Sequence, residues 1–309
     1  MSVAVDPLSQ LLNFGGAHSA PSTGLKARGA WSIRVPHVNG LKCNAVRRGN
    51  CILQAEGKTW CLSAGDCFLI APDLEFVIAS DPNCAPREAS DVFAHCGDHP
   101  FAVLDEGDGP EFFCLGGRMD LPKAAALVTS SLPPVTIVKA GSATAGRISW
   151  LFDRLEAEQC ELGPGSAAMF TPIMQMVFIE LIRSLPDGEG RGWLAALRDP
   201  RIGPAIVAIH RDPRPDWRLE DLARMSNLSR SQFAARFQSA VGVAPIHYLL
   251  QWRMTLARKA LGQTGMTIAN VAADFGYASE SAFGVAFRRV FGTTPRRAAL
   301  ADQSGATLP

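Results

Sequence analysis

Two stretches near the C-terminal end of this chain repeat each other at a spacing of 50 residues, and that repeat limits the fold more than any other feature. Ser229 and Ser279, Ser231 and Ser281, Phe233 and Phe283, Phe237 and Phe287, Gly242 and Gly292, and Pro245 and Pro295 match in order. Upstream, Leu219, Leu222 and Ala223 are echoed by Ile268, Val271 and Ala272, one residue out of step. Each copy predicts helix, turn, helix. Short first helices run over Leu219–Met225 and Ile268–Phe275. Ser229 and Ser279 follow the turns as N-caps, because a serine hydroxyl can accept an orphan backbone N–H. Phe233/Phe237 and Phe283/Phe287 then share one buried helical face at a separation of four residues. Gly242 and Gly292 stop these helices and Pro245 opens the next. That connector, Ile246 to Leu261, is about 24 Å long at 1.5 Å per residue.

Charge is divided unevenly along the chain. Residues 1–198 hold 16 Lys+Arg against 21 Asp+Glu, a net of −5, while residues 199–300 hold 14 against 7, a net of +7. A basic repeat points to a polyanion. Two helix-turn-helix units on a rigid connector are suited to successive major grooves of double-stranded DNA, roughly 34 Å apart. With the phenylalanines inward, 100° per residue turns Ser231, Gln232, Ala235 and Ser239 outward in the first copy. The corresponding face of the second holds Ser281, Ala282, Val285 and Arg289, with Glu280 at its start. Arg230, Arg236, Arg288 and Arg289 are candidates for phosphate contacts, which supply affinity, while base contacts supply selectivity. The rival reading is a non-catalytic module whose repeats bind protein. A salt titration separates the two, since DNA binding weakens steeply with salt.

The acidic part, about Trp31 to Leu115, consists of short apolar runs broken by turns. Cys51–Ala55 and Thr59–Leu62 flank Glu56-Gly57-Lys58 as a hairpin, and many such strands indicate a β-sandwich or small barrel. After Ser130 the period becomes helical. Ile148, Leu151, Phe152 and Leu155 share one face, as do Met174, Val177, Phe178, Leu181 and Ile182, and these helices either cover the barrel or form a dimer seam. Residues 185–192, rich in glycine and charge, are the linker candidate. All eight cysteines lie within residues 1–198, with no Cys-x-x-Cys pair, which argues against a zinc ribbon. Cys51, Cys61 and Cys67 sit within apolar runs and are expected to be buried, whereas Cys84 and Cys96 are expected nearer the surface. No signal peptide or uncharged apolar run of 18 residues is present, so a cytoplasmic protein with reduced thiols and no membrane partner is expected.

Trp217, Leu219, Leu222-Ala223, Ser229, Ser231, Phe233 and Phe237, followed by Phe275-Gly276-Tyr277, Ser279-Glu280-Ser281-Ala282-Phe283, Phe287-Arg288-Arg289, Phe291-Gly292 and Pro295, strongly resemble the AraC/XylS family of transcription regulators. Trp252-Arg253-Met254 in the connector fits the same pattern. Residues 1–184 resemble the cupin-like sensor domain often attached to it. The carriers of that likeness are Ala64-Gly65-Asp66, Pro72, Ser131-Leu132-Pro133-Pro134-Val135 and the helices around Trp150 and Phe178. The resemblance implies an α+β chain. A cupin-like β-barrel with trailing helices for sensing and dimerisation (1–184) is followed by a linker (185–198), two helix-turn-helix units joined by a connector helix (199–300) and a flexible tail (301–309). It implies a ligand-responsive, sequence-specific regulator that binds DNA and a small-molecule effector, acts as a homodimer, and has RNA polymerase as a candidate partner.

Departures from the family pattern carry information. Metal-dependent cupins present His-x-His with a nearby acid and a later His. None occurs here, and Phe76 stands where such a histidine would follow Pro72. No metal or other cofactor, and no enzymatic activity, is therefore expected. His95-Cys96-Gly97-Asp98-His99 reads as a polar turn rather than a zinc site. The cysteines leave thiol-based redox sensing as an alternative to a ligand in the barrel, for which Trp31, Leu53, Trp60 and Leu69 are candidate lining residues. In the family an arginine or another polar residue is common at the positions of Ala235 and Val285. Here both are apolar, which removes the bidentate arginine–guanine contact and points Val285 to a thymine methyl.

Overall fold

The computed structural model describes residues 6–14, 18–37, 40–94, 100–120, 126–161, 163–185, 192–214, 216–263 and 265–303. Along the chain α1 (Pro7–Phe14) precedes β1 (His18–Gly29), β2 (Ser32–Val35), β3 (Leu41–Arg48), β4 (Asn50–Ala55), β5 (Lys58–Ser63), β6 (Cys67–Ile70), β7 (Phe76–Ala79) and β8 (Arg87–Glu88). Then come α2 (Ala89–Phe93), β9 (Phe101–Glu106), β10 (Phe112–Asp120), α3 (Ala126–Thr129), β11 (Val135–Val138), α4 (Ala143–Glu161) and α5 (Ser166–Arg183). The remainder is helical: α6 (Trp193–Arg198), α7 (Gly203–Arg211), α8 (Leu219–Met225), α9 (Arg230–Val241), α10 (Pro245–Leu261), α11 (Ile268–Asp274), α12 (Glu280–Phe291) and α13 (Pro295–Gln303).

The strands form two sheets, in the orders β11-β6-β3-β10-β1-β9 and β5-β4-β7-β2-β8. Their inner faces share one apolar core, with Leu25, Val46, Phe68, Ile70 and Phe112 from the first sheet and Ile33, Leu53, Leu62, Phe76 and Ile78 from the second. The fold is α+β as expected. The hairpin of β4 and β5 turns on two residues rather than three: Ala55 pairs with Lys58, and Glu56 (φ 48°) and Gly57 (φ 71°) both take the left-handed conformation that suits strand twist. Asp66, almost fully buried, fixes the approach to β6. Its oxygens accept from Ser63 N–H (2.9 Å), Lys139 Nζ (2.9 Å) and Ala140 N–H (2.8 Å). Burial works to raise this carboxyl's pKa, but the three hydrogen bonds outweigh it and hold the group below the ordinary carboxylate range.

Helix α5 packs on β1, β3 and β10. By length and composition it could cross a bilayer. Its apolar face, Ile173, Met174, Val177, Phe178 and Leu181, is buried within the protein instead. This helix decides which side of the sheet Leu69 faces. A Cβ on Gly117 would meet Phe170 and Met174 of α5, Gly117 lies opposite Cys43, and Cys43 lies opposite Leu69. Residues directly opposite share a face, so Leu69 points to the helix, not into the space between the sheets as expected. Cys61 is a second correction. It is exposed, because its neighbour Leu62 takes the inward position in β5. Cys43, Cys51, Cys67 and Cys114 are buried, and desolvation raises all four thiols, Cys51 and Cys67 to about 12. They remain protonated core atoms, unsuited to oxidant sensing.

The chain divides into two compact units: residues 17–121 with 132–190, and residues 1–16, 122–131 and 191–309. The helical unit thus takes in α1 and α3, which sequence position had assigned to the sensor. Residues 193–198, expected in a linker, form α6 with Trp193 buried, and 186–191 lie outside the described residues. Residues 301–303, expected in a flexible tail, complete α13, while 304–309 lie outside the described residues. So does the His95–His99 segment.

Candidate nucleic-acid interface

Each copy of the repeat forms the expected pair of helices. In the first, the turn after α8 passes through Asn227 in the left-handed conformation (φ 50°), and Leu228 N–H donates to Ala223 O at 3.1 Å. In the second, Gly276 (φ 78°) takes that role and Tyr277 N–H donates to Ala272 O at 2.9 Å. The single residue of slippage between the copies falls here. Leu228 alone separates Asn227 from the cap, whereas Tyr277 and Ala278 separate Gly276 from its cap. Ser229 Oγ accepts from Gln232 N–H (3.3 Å), and Gln232 Oε1 accepts from Ser229 N–H (3.2 Å), a reciprocal capping box. Ser279 Oγ accepts from Ala282 N–H (3.2 Å) without a reciprocal partner. Phe233 and Phe237 pack with ring centroids 5.6 Å apart, Phe283 and Phe287 at 5.7 Å, and all four are buried. Gly242 (φ 89°) and Gly292 (φ 71°) end the two helices in a conformation that favours glycine.

These anchors leave one face of α9 and one of α12 in solvent. Arg230, Ser231, Gln232, Ala235, Arg236 and Ser239 are exposed on the first, and Glu280, Ser281, Val285, Arg288 and Arg289 on the second. Val285 is 73% exposed, beside Gly284. Gln232 is partly committed, since its amide oxygen serves the cap of α9. Arg230 pairs with Glu220 at 2.6 Å and Arg236 with Asp199 at 2.8 Å. Arg288, Arg289, Arg296 and Arg297 are exposed and form no ion pair among the described residues. Arg296 and Arg297 follow Pro295, the last matched residue of the repeat, so the repeat pattern does not mark them.

Connector α10 joins the lobes by burying Tyr248, Leu249 and Trp252 towards its start, and Met254, Ala257 and Leu261 against Phe283 and Phe287. Arg253 Nε donates to Pro213 O at 2.7 Å. Tyr248 is the centre of a buried chain of hydrogen bonds. Trp193 Nε1–H donates to its hydroxyl (2.6 Å), which leaves the hydroxyl proton for His210 Nε2 (2.6 Å). His210 Nδ1–H then donates to Gln10 Oε1 of α1 (2.9 Å), and its ring stacks on Trp252 at 4.2 Å. The chain demands a neutral imidazole. Burial lowers the His210 pKa to about 3, opposed only by Asp6.

Comparison with known proteins places this geometry. The cupin family matches residues 6–187 and a helix-turn-helix domain family matches residues 222–299. An AraC-like transcription regulator of Streptomyces lividans is 35% identical over 298 residues, covering 94% of this chain and 97% of its own. This chain belongs to the AraC-like transcription regulators. The AlkR regulator of Acinetobacter baylyi is 27% identical over 303 residues, 94% of this chain and 98% of its own. ToxT of Vibrio cholerae with an unsaturated fatty acid bound is 12% identical, covers 96% of this chain and 99% of its own, and superposes with a TM-score of 0.38.

In this AraC-like regulator the four expected effector contacts are divided by the sheets. Trp31 and Leu53 lie in the core between them, Trp60 is half-buried at its margin, and Leu69 is on the opposite face. Phe76, at the position considered for a metal-binding histidine, is also in that core. A groove of about 440 Å³ lies elsewhere, on the outer side of β1, β9 and β10, where Lys26, Arg28, Arg48, Val103 and Glu111 line it.

Proposed function

We propose that this AraC-like regulator is a cytoplasmic, non-enzymatic homodimer that reads duplex DNA with α9 and α12 and responds to an apolar effector held between the two sheets. The reading rests on one observation above all: two capped helices, each anchored by a buried phenylalanine pair, present solvent-exposed faces within one basic unit. Outward Ser231, Ser239 and Ser281 hydrogen-bond base edges or phosphates, and Arg288 and Arg289 engage phosphate. Ala235 and Val285 have no hydrogen-bonding group, so Val285 contacts a thymine methyl in the major groove. Trp31, Leu53 and Trp60 are apolar, so an effector that opens the core among them would itself be apolar and would perturb tryptophan emission on binding. Dimerisation is assigned to the α4–α5 hairpin, where Trp150 is 64% exposed and Met169 and Met176, seven residues apart on α5, form an apolar stripe. RNA polymerase is the candidate partner for transcriptional output.

Selection of sequences from random duplexes by the purified full chain, followed by salt titration of the selected site and a generic duplex, tests this reading. Enrichment of a paired motif and a steep loss of affinity with salt are expected. Absence of enrichment refutes sequence-specific recognition.

A further inference from the structure

The two lobes of the reader deploy their arginines differently. At the spacing of the repeat, Ala286 stands where α9 has Arg236, and Glu280 where it has Arg230. The first lobe alone has arginines at these positions, and both are already paired with carboxylates. The two pairs are not equivalent. Glu220 and Arg230 are both well exposed and can part readily. Asp199 is held. Its side chain is only 20% exposed, and its Oδ1 accepts from Arg201 N–H (2.7 Å) and Ile202 N–H (3.2 Å), leaving Oδ2 directed at Arg236 Nη2. The Asp199 carboxyl also stays ionised: burial acts to raise its pKa, but Arg236 and the two backbone N–H groups outweigh this and lower it. A carboxylate fixed beside the first reading helix neutralises Arg236 and repels any phosphate that approaches it.

We propose that Asp199 is a specificity-determining residue of this reader: it occupies Arg236 as a phosphate oxygen would, and so withholds that cation from the DNA backbone. Sequence-independent attraction then rests mainly on Arg288, Arg289, Arg296 and Arg297 of the second lobe, with Arg230 available from the first once it parts from Glu220, and the first lobe engages mainly where bases fit its outward face. The inference rests on the assignment of α9 and α12 as the DNA-reading helices.

Binding of the full-length protein to a fluorescein-labelled duplex of arbitrary sequence, followed by anisotropy across a salt series, tests it. Arg288→Ala should make the plot of log affinity against log salt shallower by about 0.9, the value for one phosphate contact. Asp199→Asn retains the Oδ1 acceptor and removes the charge. It should steepen the slope by about 0.9 and tighten binding about fivefold near 0.1 M salt. The double variant Asp199→Asn/Arg236→Ala should return both quantities to the wild-type values. A double variant as shallow as Arg288→Ala shows that Arg236 already contacts phosphate and overturns the proposal, as does an unchanged slope in Asp199→Asn. Should the Asp199 variants fail to fold by circular dichroism, Arg236→Ala decides alone: a slope as shallow as that of Arg288→Ala overturns the proposal, and a wild-type slope supports it. A wild type that binds no duplex at low salt overturns the DNA-reading assignment and this proposal with it.

Discussion

Acidification should loosen the helical unit through His210, by an amount the structure fixes. Unfolded, an imidazole titrates near pH 6.5. Folded, burial lowers the His210 pKa to about 3, because Nε2 must stay bare to accept from Tyr248 and the ring is stacked on Trp252. Between those values the unfolded state binds the extra proton, so stability rises with pH. The contribution is complete above about pH 6.5 and is lost as pH falls from there towards 3. From pH 7 to pH 5 the loss is about 2 kcal/mol, or about 25-fold in an opening equilibrium. Hydrogen exchange read by mass spectrometry on peptides covering α7 and α10 follows this unit within the intact chain. His210→Gln removes the titrating group while keeping polar atoms near Tyr248 and Gln10. At pH 7 the variant is expected to be less protected than wild type; at pH 5 the gap should narrow by about 25-fold. Parallel pH dependence in the two proteins, or a gap that widens in acid, refutes the neutral-imidazole chain.

Replacing individual operator thymines with deoxyuridine, which removes only the methyl, should weaken wild-type binding at one position by about 1 kcal/mol. Val285→Gly should abolish that difference without altering the salt slope; competition binding with substituted duplexes checks both. Trp193→Phe retains most of the ring but removes the indole donor to Tyr248, and should lower the stability of the helical unit by about 1 kcal/mol in the same exchange assay. Trp150→Glu with Met176→Lys should shift the full chain from dimer to monomer in sedimentation velocity while leaving the protein folded, since both residues are exposed.

What the sequence reveals and conceals follows from the range of the forces involved. Helical periodicity is local, and Ile148, Leu151, Phe152 and Leu155 of α4 are buried as the 3.6-residue pattern requires. The caps Ser229 and Ser279 and the stops Gly242 and Gly292 are equally local, set by backbone groups within a few residues. In Cys67-Phe68-Leu69-Ile70, by contrast, all four side chains are buried. The first sheet is covered by the second sheet on one side and by α5 on the other, so alternation vanishes and nothing in the run reveals which face Leu69 takes. The helical unit conceals more. Gln10 meets His210 across 200 positions, and Ser131 Oγ accepts from Trp193 N–H across 62, at 2.8 Å. A division drawn from charge and repeat alone places Gln10 and Ser131 in the sensor and Trp193 in a linker.

Helices α9 and α12 carry this distinction to their outward faces. The two copies share what the backbone dictates: a left-handed turn residue, a serine cap, a buried phenylalanine pair and a terminal glycine. Outward positions are under no such constraint, and there the copies diverge. Gln232 closes a capping box where Ala282 cannot, Arg236 is matched by Ala286, and Ser239 by Arg289. Because the scaffold fixes each outward side chain at the same angle from its helix axis, these differences translate directly into different chemistry towards the bases and phosphates. Two lobes of one architecture therefore need not recognise two copies of one half-site, and an operator for this regulator is expected to be asymmetric within the footprint of a single chain.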